Sequence, residues 1–178
     1  MPEETQPPDR TDRFDRLESA DYDRVTEFLR DRVTFTAREW AIARLCADFR
    51  TETGVEMKKL GEHLPELVPF MPEPYSRQAV YGARRSFEQK VREAGATFLY
   101  GAYSGFFTPE ELDDVVHEST EVAKFLLEVE GASIPHDREA DAERRLRAAM
   151  EAVHEASADL RYDHCPHCGA ELHGDALD

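Results

Sequence analysis

Two stretches of the form Thr-x-x-Glu constrain this chain most: Thr36-Ala37-Arg38-Glu39 and Thr108-Pro109-Glu110-Glu111. Each stands directly before an apolar stripe of helical period. In such a box the Thr hydroxyl accepts the backbone N–H of the Glu, and the Glu carboxylate accepts the N–H of the Thr. Two donors that every helix start leaves unpaired are thereby satisfied. After Thr36 the stripe is Ala41, Ile42, Leu45, Cys46 and Phe49, with Arg38, Arg44 and Asp48 on other faces. After Thr108 it is Leu112, Val115, Val116, Val122, Phe125, Leu126 and Val129, closing at Gly131. Cys46, on the apolar face, is expected to pack in the core.

Further helices follow from the same period. Leu17, Tyr22, Val25, Phe28, Leu29 and Val33 predict one over about 21–33, and Val55, Leu60 and Leu64 a short one over 55–64. Four prolines (Pro65, Pro69, Pro72, Pro74) then argue against continued helix, leaving Leu67, Val68, Phe70 and Met71 to dock as an apolar loop or one turn. Ser76 caps a helix striped by Val80, Ala83, Phe87 and Val91 and expected to stop at Gly95. The aromatic, glycine-punctuated stretch 96–107 reads either as a β-hairpin turning near Ser104-Gly105 or as a buried helix. Leu146, Met150, Val153 and Leu160 place a last amphipathic helix over 137–160. The fold class is therefore mainly α, with one hairpin as an option. The expected organisation is an acidic disordered tail (1–13), a helical domain (14–132), the amphipathic helix (137–160) and a cysteine-bearing end (162–174).

Charge narrows the class further. The 178 residues carry 38 Asp and Glu against 22 Lys and Arg, a formal net charge of −16, and only Lys58, Lys59, Lys90 and Lys124 are lysines. Carboxylate excess with Arg over Lys is the composition of proteins from cells that hold molar salt, where charges are screened within about 3 Å. An ordinary acidic protein is the plainer alternative. No apolar run reaches the ~18–20 residues of a membrane span, the N-terminus has no secretory signal, and three Cys make no disulfide framework. A cytoplasmic protein without membrane association is expected.

Cys165-Pro166-His167-Cys168-Gly169 is the most specific chemical signal. Two thiolates three positions apart face one tetrahedral ion, and zinc takes four N or S ligands at about 2.0–2.3 Å. The segment resembles one half of a zinc ribbon, whose knuckle reads C-P-x-C-G, but no second C-x-x-C exists here. His173 is then the best third ligand. His164, His167, a distant residue or a second chain supplies the fourth. Such a zinc would be structural. A decayed, metal-free ribbon and a redox C-x-x-C are the competing readings.

Residues 35–95 resemble helix-turn-helix regulators whose helices open T-x-R-E, K-x-[IL]-[AG]-E-x-L and S-x-x-[TA]-V. The matching segments are Thr36-Ala37-Arg38-Glu39, Lys58-Lys59-Leu60-Gly61-Glu62-His63-Leu64 and Ser76-Arg77-Gln78-Ala79-Val80. In that family the third helix enters the major groove of DNA. The resemblance implies that Arg77, Gln78 and Tyr81 face bases, and that Arg84, Arg85, Lys58 and Lys59 hold phosphates. Residues 77–92 carry Arg77, Arg84, Arg85, Lys90 and Arg92 against Glu88. This reading requires that those cations not be consumed by the protein's own acids. One departure stands out: eleven residues separate Leu64 from Ser76, where a helix-turn-helix uses about three or four.

The segment from Phe35-Thr36-Ala37-Arg38-Glu39-Trp40 through Phe125-Leu126-Leu127-Glu128-Val129-Glu130-Gly131 also resembles an uncharacterised haloarchaeal domain family over most of 14–132. That resemblance implies a halophilic setting and no particular activity. No P-loop, dinucleotide fingerprint, H-E-x-x-H, EF-hand loop or nucleophile elbow occurs, so an enzyme is not expected. The leading expectation is a DNA-binding, transcription-regulator-like protein with a structural zinc. The alternative is an interaction module whose helices 109–130 and 137–160 pair with a partner or a second copy. Neither expectation involves a small-molecule substrate.

Overall fold

A computed structural model describes Phe14, residues 19–132 and residues 135–162, the side chains of 19–20 and 158–162 excepted. Six helices occur among the described residues: α1 (Ser19–Arg30), α2 (Ala37–Asp48), α3 (Met57–Leu67), α4 (Arg77–Tyr103), α5 (Pro109–Val129) and α6 (His136–Tyr162). Their only β feature is an isolated antiparallel bridge between Thr51 and Gly54. The fold is mainly α.

Both capping boxes form. Thr36 Oγ1 accepts the Glu39 N–H at 3.2 Å and Glu39 Oε2 accepts the Thr36 N–H at 3.1 Å. Thr108 Oγ1 accepts the Glu111 N–H at 3.2 Å, and Glu111 Oε2 accepts the Thr108 N–H at 2.8 Å. Ser76 Oγ accepts the Ala79 N–H at 3.2 Å and opens α4.

Three expectations need correction. No hairpin forms over 96–107: α4 runs through Gly95 to Tyr103, twenty-seven residues in all. Gly95 lies inside the helix with open space beside it, so nothing there breaks the ladder. The helical alternative holds as far as Tyr103, but that helix is not buried, since Leu99, Tyr100 and Tyr103 are exposed. Finally, α3 does not stop before Pro65 but continues to Leu67. Proline removes one N–H, and the orphaned acceptor four residues back, the Gly61 carbonyl, takes the N–H of Tyr75 instead at 2.9 Å.

The chain divides into two compact units, one of residues 1–93 and 124–132, the other of 94–123 and 133–178. The first holds most of the buried core. Phe14, Val25, Leu29, Ile42, Leu45, Cys46, Leu64, Val68 and Val80 are all at most 2 % exposed. Phe14 meets the Trp40 ring edge-on with centroids 5.4 Å apart, and Tyr22 stacks on Phe70 at 4.7 Å. Phe28 of α1 stacks on Phe125 at 3.8 Å, which holds the end of α5 in this unit. As expected of an apolar loop, Val68 and Met71 are buried and close a turn through the Met71 N–H and the Val68 carbonyl.

In the second unit α4 ends in a tight reversal. The Phe106 N–H donates to the Gly101 carbonyl at 3.2 Å, and Gly105 has φ +75°. A Cβ at Gly101 would stand 2.8 Å from the Phe107 ring, so glycine is what lets that ring fold back onto the helix.

Candidate nucleic-acid interface

The start of α4 is placed by the loop before it. Tyr75 bonds to Gly61, and the Val80 side chain, fully buried, packs over the same glycine. The residues that follow are thereby held at a fixed station on α3. Arg77, Gln78 and Tyr81 line one cleft of about 470 Å³ together with Val55, just before α3, and Met57, its first residue. The three residues expected to face bases thus share a site. The cleft combines a guanidinium and an amide donor with a half-exposed phenol ring and an apolar wall.

The cations expected to hold phosphate fall into two groups. Arg85 is exposed, as are Lys58 and Lys59 in the first turn of α3, and none of the three forms an ion pair among the described residues. Arg84 is different: it is partly buried, and its Nε lies 3.0 Å from Glu88 Oε1, four residues on. Lys90 is also occupied. Its ammonium donates to Glu39 Oε1 at 3.0 Å and Oε2 at 2.8 Å, while Ser86 Oγ donates to the same carboxylate at 3.0 Å. Burial alone would raise the pKa of Glu39, but the bonds from Lys90, Thr36 and Ser86 and the Lys90 charge outweigh it. The carboxyl is held below its ordinary value. Glu39 therefore stays ionised and keeps Lys90.

What remains on the outer side of α4 is Arg77, Tyr81, Arg85 and Arg92. Their spacing of 4, 4 and 7 residues puts them on one face of the helix. All four are exposed; Gln78, Gly82 and Gln89 flank them without charge, and Glu88, which shares this face between Arg85 and Arg92, is paired with Arg84. The sequence signal for Arg92 was its place in the basic stretch; only the helix register shows that it continues the row. The same register gives Lys90 and Arg84 their acidic neighbours.

A second polar cluster lies within the same unit. The Trp40 indole N–H donates to Glu130 Oε1 at 3.2 Å, and Arg44 Nε lies 3.4 Å from Glu130 Oε2 and 3.8 Å from Asp48 Oδ1. Glu130 and Asp48 are each 8 % exposed, and the Arg44 guanidinium lies between their two carboxylates. Periodicity does not reach a contact ninety residues apart, so no local pattern announces this cluster.

The four residues expected to bind metal, Cys165, Cys168, His173 and His164, lie outside the described residues. Among the described residues no group of three or more His, Cys, Asp or Glu is arranged to hold a metal ion. Cys46 is buried, as its place on α2 requires, and burial pushes its thiol up to about 11. No helix among the described residues is long and apolar enough to cross a membrane.

These features define a protein whose described residues are mainly helical, with a cationic face on the first half of α4. The chain belongs to a family of unknown function (DUF5806), whose model matches residues 13–159. No curated protein and no solved structure matches it.

Proposed function

We propose that the protein binds DNA through the first half of α4. The observation that carries this reading is the row Arg77, Tyr81, Arg85 and Arg92, exposed on one helix face with no acid taking its guanidinium groups among the described residues. Arg77 and Gln78 supply the donor patterns that read purine edges, and Tyr81 with Val55 and Met57 supplies apolar contact for a base or its methyl group. Arg85, Arg92, Lys58 and Lys59 neutralise phosphates. The close seat of α4 on Gly61 supports the resemblance to helix-turn-helix regulators. A small residue at that position of the middle helix is what such a seat demands, although the linking loop here is longer.

The local cationic row matters because the chain as a whole is acidic, with a net charge of −16. A duplex is repelled by most of such a surface, so the row would fix the docking orientation as well as the affinity. A halophilic setting fits the composition and would weaken phosphate contacts. Base and apolar contacts in the cleft then carry more of the binding. Cys165 and Cys168, with His173 and His164, have the donor set of a structural zinc knuckle and form the other part of this proposal. No enzymatic step enters it.

The test is fluorescence anisotropy of a labelled random-sequence duplex with the full chain, from 0.1 to 2 M KCl. Arg77→Ala, Arg85→Ala and Arg92→Ala are each expected to weaken binding by about 3- to 10-fold. Arg84→Ala, whose partner is Glu88, is expected to change it less. Absence of binding by the wild type, or equal affinity in all four variants, overturns the proposal.

A further inference from the structure

From Ala94 to Pro109 the chain carries no Asp, Glu, Lys or Arg over sixteen residues, although 34% of all its residues are charged. An uncharged run of that length ordinarily marks buried core. Here it does not. Leu99 is 45 %, Tyr100 68 %, Tyr103 43 % and Phe106 72 % exposed.

These side chains form one patch within the second unit. Leu99 and Tyr103 are one helical turn apart on α4, and Tyr100 adjoins Leu99. The reversal after Ser104 seats Phe107 against Gly101 and turns Phe106 outward, with its ring centroid 6.0 Å from that of Tyr100. Gly95 and Ala96, one turn before Leu99 and Tyr100, are exposed and add no bulk that would keep another backbone away.

We propose that this patch is the contact between two copies of the chain. The first argument is charge. Two molecules of net charge −16 repel each other over most of their surface, and in a two-fold pair each group near the axis meets its own image. Only a face without ionised groups makes that meeting free of like-charge repulsion. A different partner selected for an acidic protein would present cations, and sixteen uncharged residues give those cations nothing to bind. The second argument is area. With aromatic side chains of about 150–250 Å² each, the four exposed residues leave roughly 450 Å² open, and a pair of patches removes about 900 Å² from water. That is close to the ~1,000 Å² at which specific interfaces begin, and the neighbouring Phe98 and Phe107 are only partly buried. The product is a reversible dimer held by apolar contact. It strengthens with sulfate, which favours burial of apolar surface, and with chloride, which screens the repulsion between two net charges of −16.

Sedimentation equilibrium of the full chain between 1 and 200 μM tests this, with and without 0.5 M ammonium sulfate. The expected result is a concentration-dependent dimer, tightened by sulfate. Tyr100→Asp and Phe106→Asp are each expected to weaken it at least tenfold. Circular dichroism and melting temperature are followed in parallel. Phe106 lies on an exposed turn, so its variant keeps the fold and separates a lost contact from unfolding. A wild-type monomer at 200 μM overturns the proposal, as does a dimer that both folded variants leave unchanged.

Discussion

The carbonyl of Gly61 accepts the N–H of Tyr75 at 2.9 Å, and it is free to do so because Pro65, four residues on, has no N–H of its own. A residue that ordinarily ends a helix here turns one of its carbonyls outward as a docking point for the next. A Cβ at Gly61 would overlap the Tyr75 carbonyl and stand 3.1 Å from Val80 Cγ2. Both halves of the arrangement, the missing N–H and the missing Cβ, are set by residue type. Together they decide where α4 begins.

Gly61→Ala should therefore be severe. The obstruction is backbone, which cannot swing aside, so α3 and the 68–76 loop must separate, at a cost of about 2–4 kcal/mol by comparison with overpacked cores. Gly82→Ala is the matched control. Gly82 sits in α4, and a methyl added there would meet nothing within 4 Å, so the change should raise stability by up to about 1 kcal/mol. Urea unfolding followed by circular dichroism distinguishes the two. Equal effects would mean that the α3–α4 seat is not under steric control.

The ion pair between Lys90 and Glu39 predicts a pH dependence. Because the folded carboxyl sits below its ordinary value of 4.5, its contribution is complete above that pH and is lost as pH falls through the folded value. Glu39→Gln removes the charge that holds Lys90, while its amide oxygen can still accept the Thr36 N–H of the capping box. The expected loss near pH 7 is about 1–2 kcal/mol, the scale of a hydrogen bond to a charged group. The wild type and the variant should converge as the pH drops below the ordinary carboxylate range. Parallel stability curves from neutral to strongly acidic pH would show that the pair adds nothing beyond packing.

Cys46 offers a chemical reporter of the core. With its thiol pushed from 9.0 to about 11 by burial, it is protonated and shielded at pH 8. In a Cys165→Ser, Cys168→Ser background the remaining thiol should react with Ellman's reagent only as fast as the unit opens, and immediately in 6 M guanidinium. Its linkage acts on the alkaline side. The stability it contributes is complete below pH 9.0 and is lost as pH rises through the folded value of about 11. Rapid labelling of the native protein would contradict this burial.

What could be read from the sequence follows the range of each interaction. The capping boxes at Thr36 and Thr108 join residues three apart, so they identify helix starts without any knowledge of the fold. Helix ends were harder. Gly95 and Pro65 have the composition of stops, yet the ladder passes through both. At Gly95 no competing contact exists, and at Pro65 the freed carbonyl finds Tyr75. The stretch 96–107 misled for a different reason. Apolar content implies burial only when the rest of the molecule covers it, and sequence cannot show that Tyr100 and Phe106 are left open. In the candidate site, Arg77, Gln78 and Tyr81 were legible because they fall just after a recognisable cap. That Lys90 belongs to Glu39, fifty-one residues away, was not.

Zinc is the prediction that stands apart from these helices. The knuckle's two thiolates and its histidines call for a metal that survives dialysis against weak chelators, given the strong affinity of thiolate sites. Inductively coupled plasma mass spectrometry of the purified full chain should find zinc, and Cys165→Ser or Cys168→Ser should each abolish it. The first unit has its own core, so the helical circular dichroism of these variants should stay largely unchanged. Zinc content equal to the wild type in both variants would refute the ligand assignment.

Salt titration gives the most direct measure of how many cations meet DNA. Each neutralised phosphate contributes about −0.9 to the slope of log affinity against log salt concentration. Arg85, Arg92, Lys58 and Lys59 would together give a slope of roughly −3 to −4, and removing any one of them should flatten it by about 0.9. Arg77→Ala and Tyr81→Ala act through the cleft shared with Val55 and Met57, so they should lower affinity with a smaller change in slope. The division between slope and intercept thus separates the residues on the phosphate backbone from those facing the bases. A slope that none of the four phosphate-facing substitutions alters would place the contact elsewhere on the molecule.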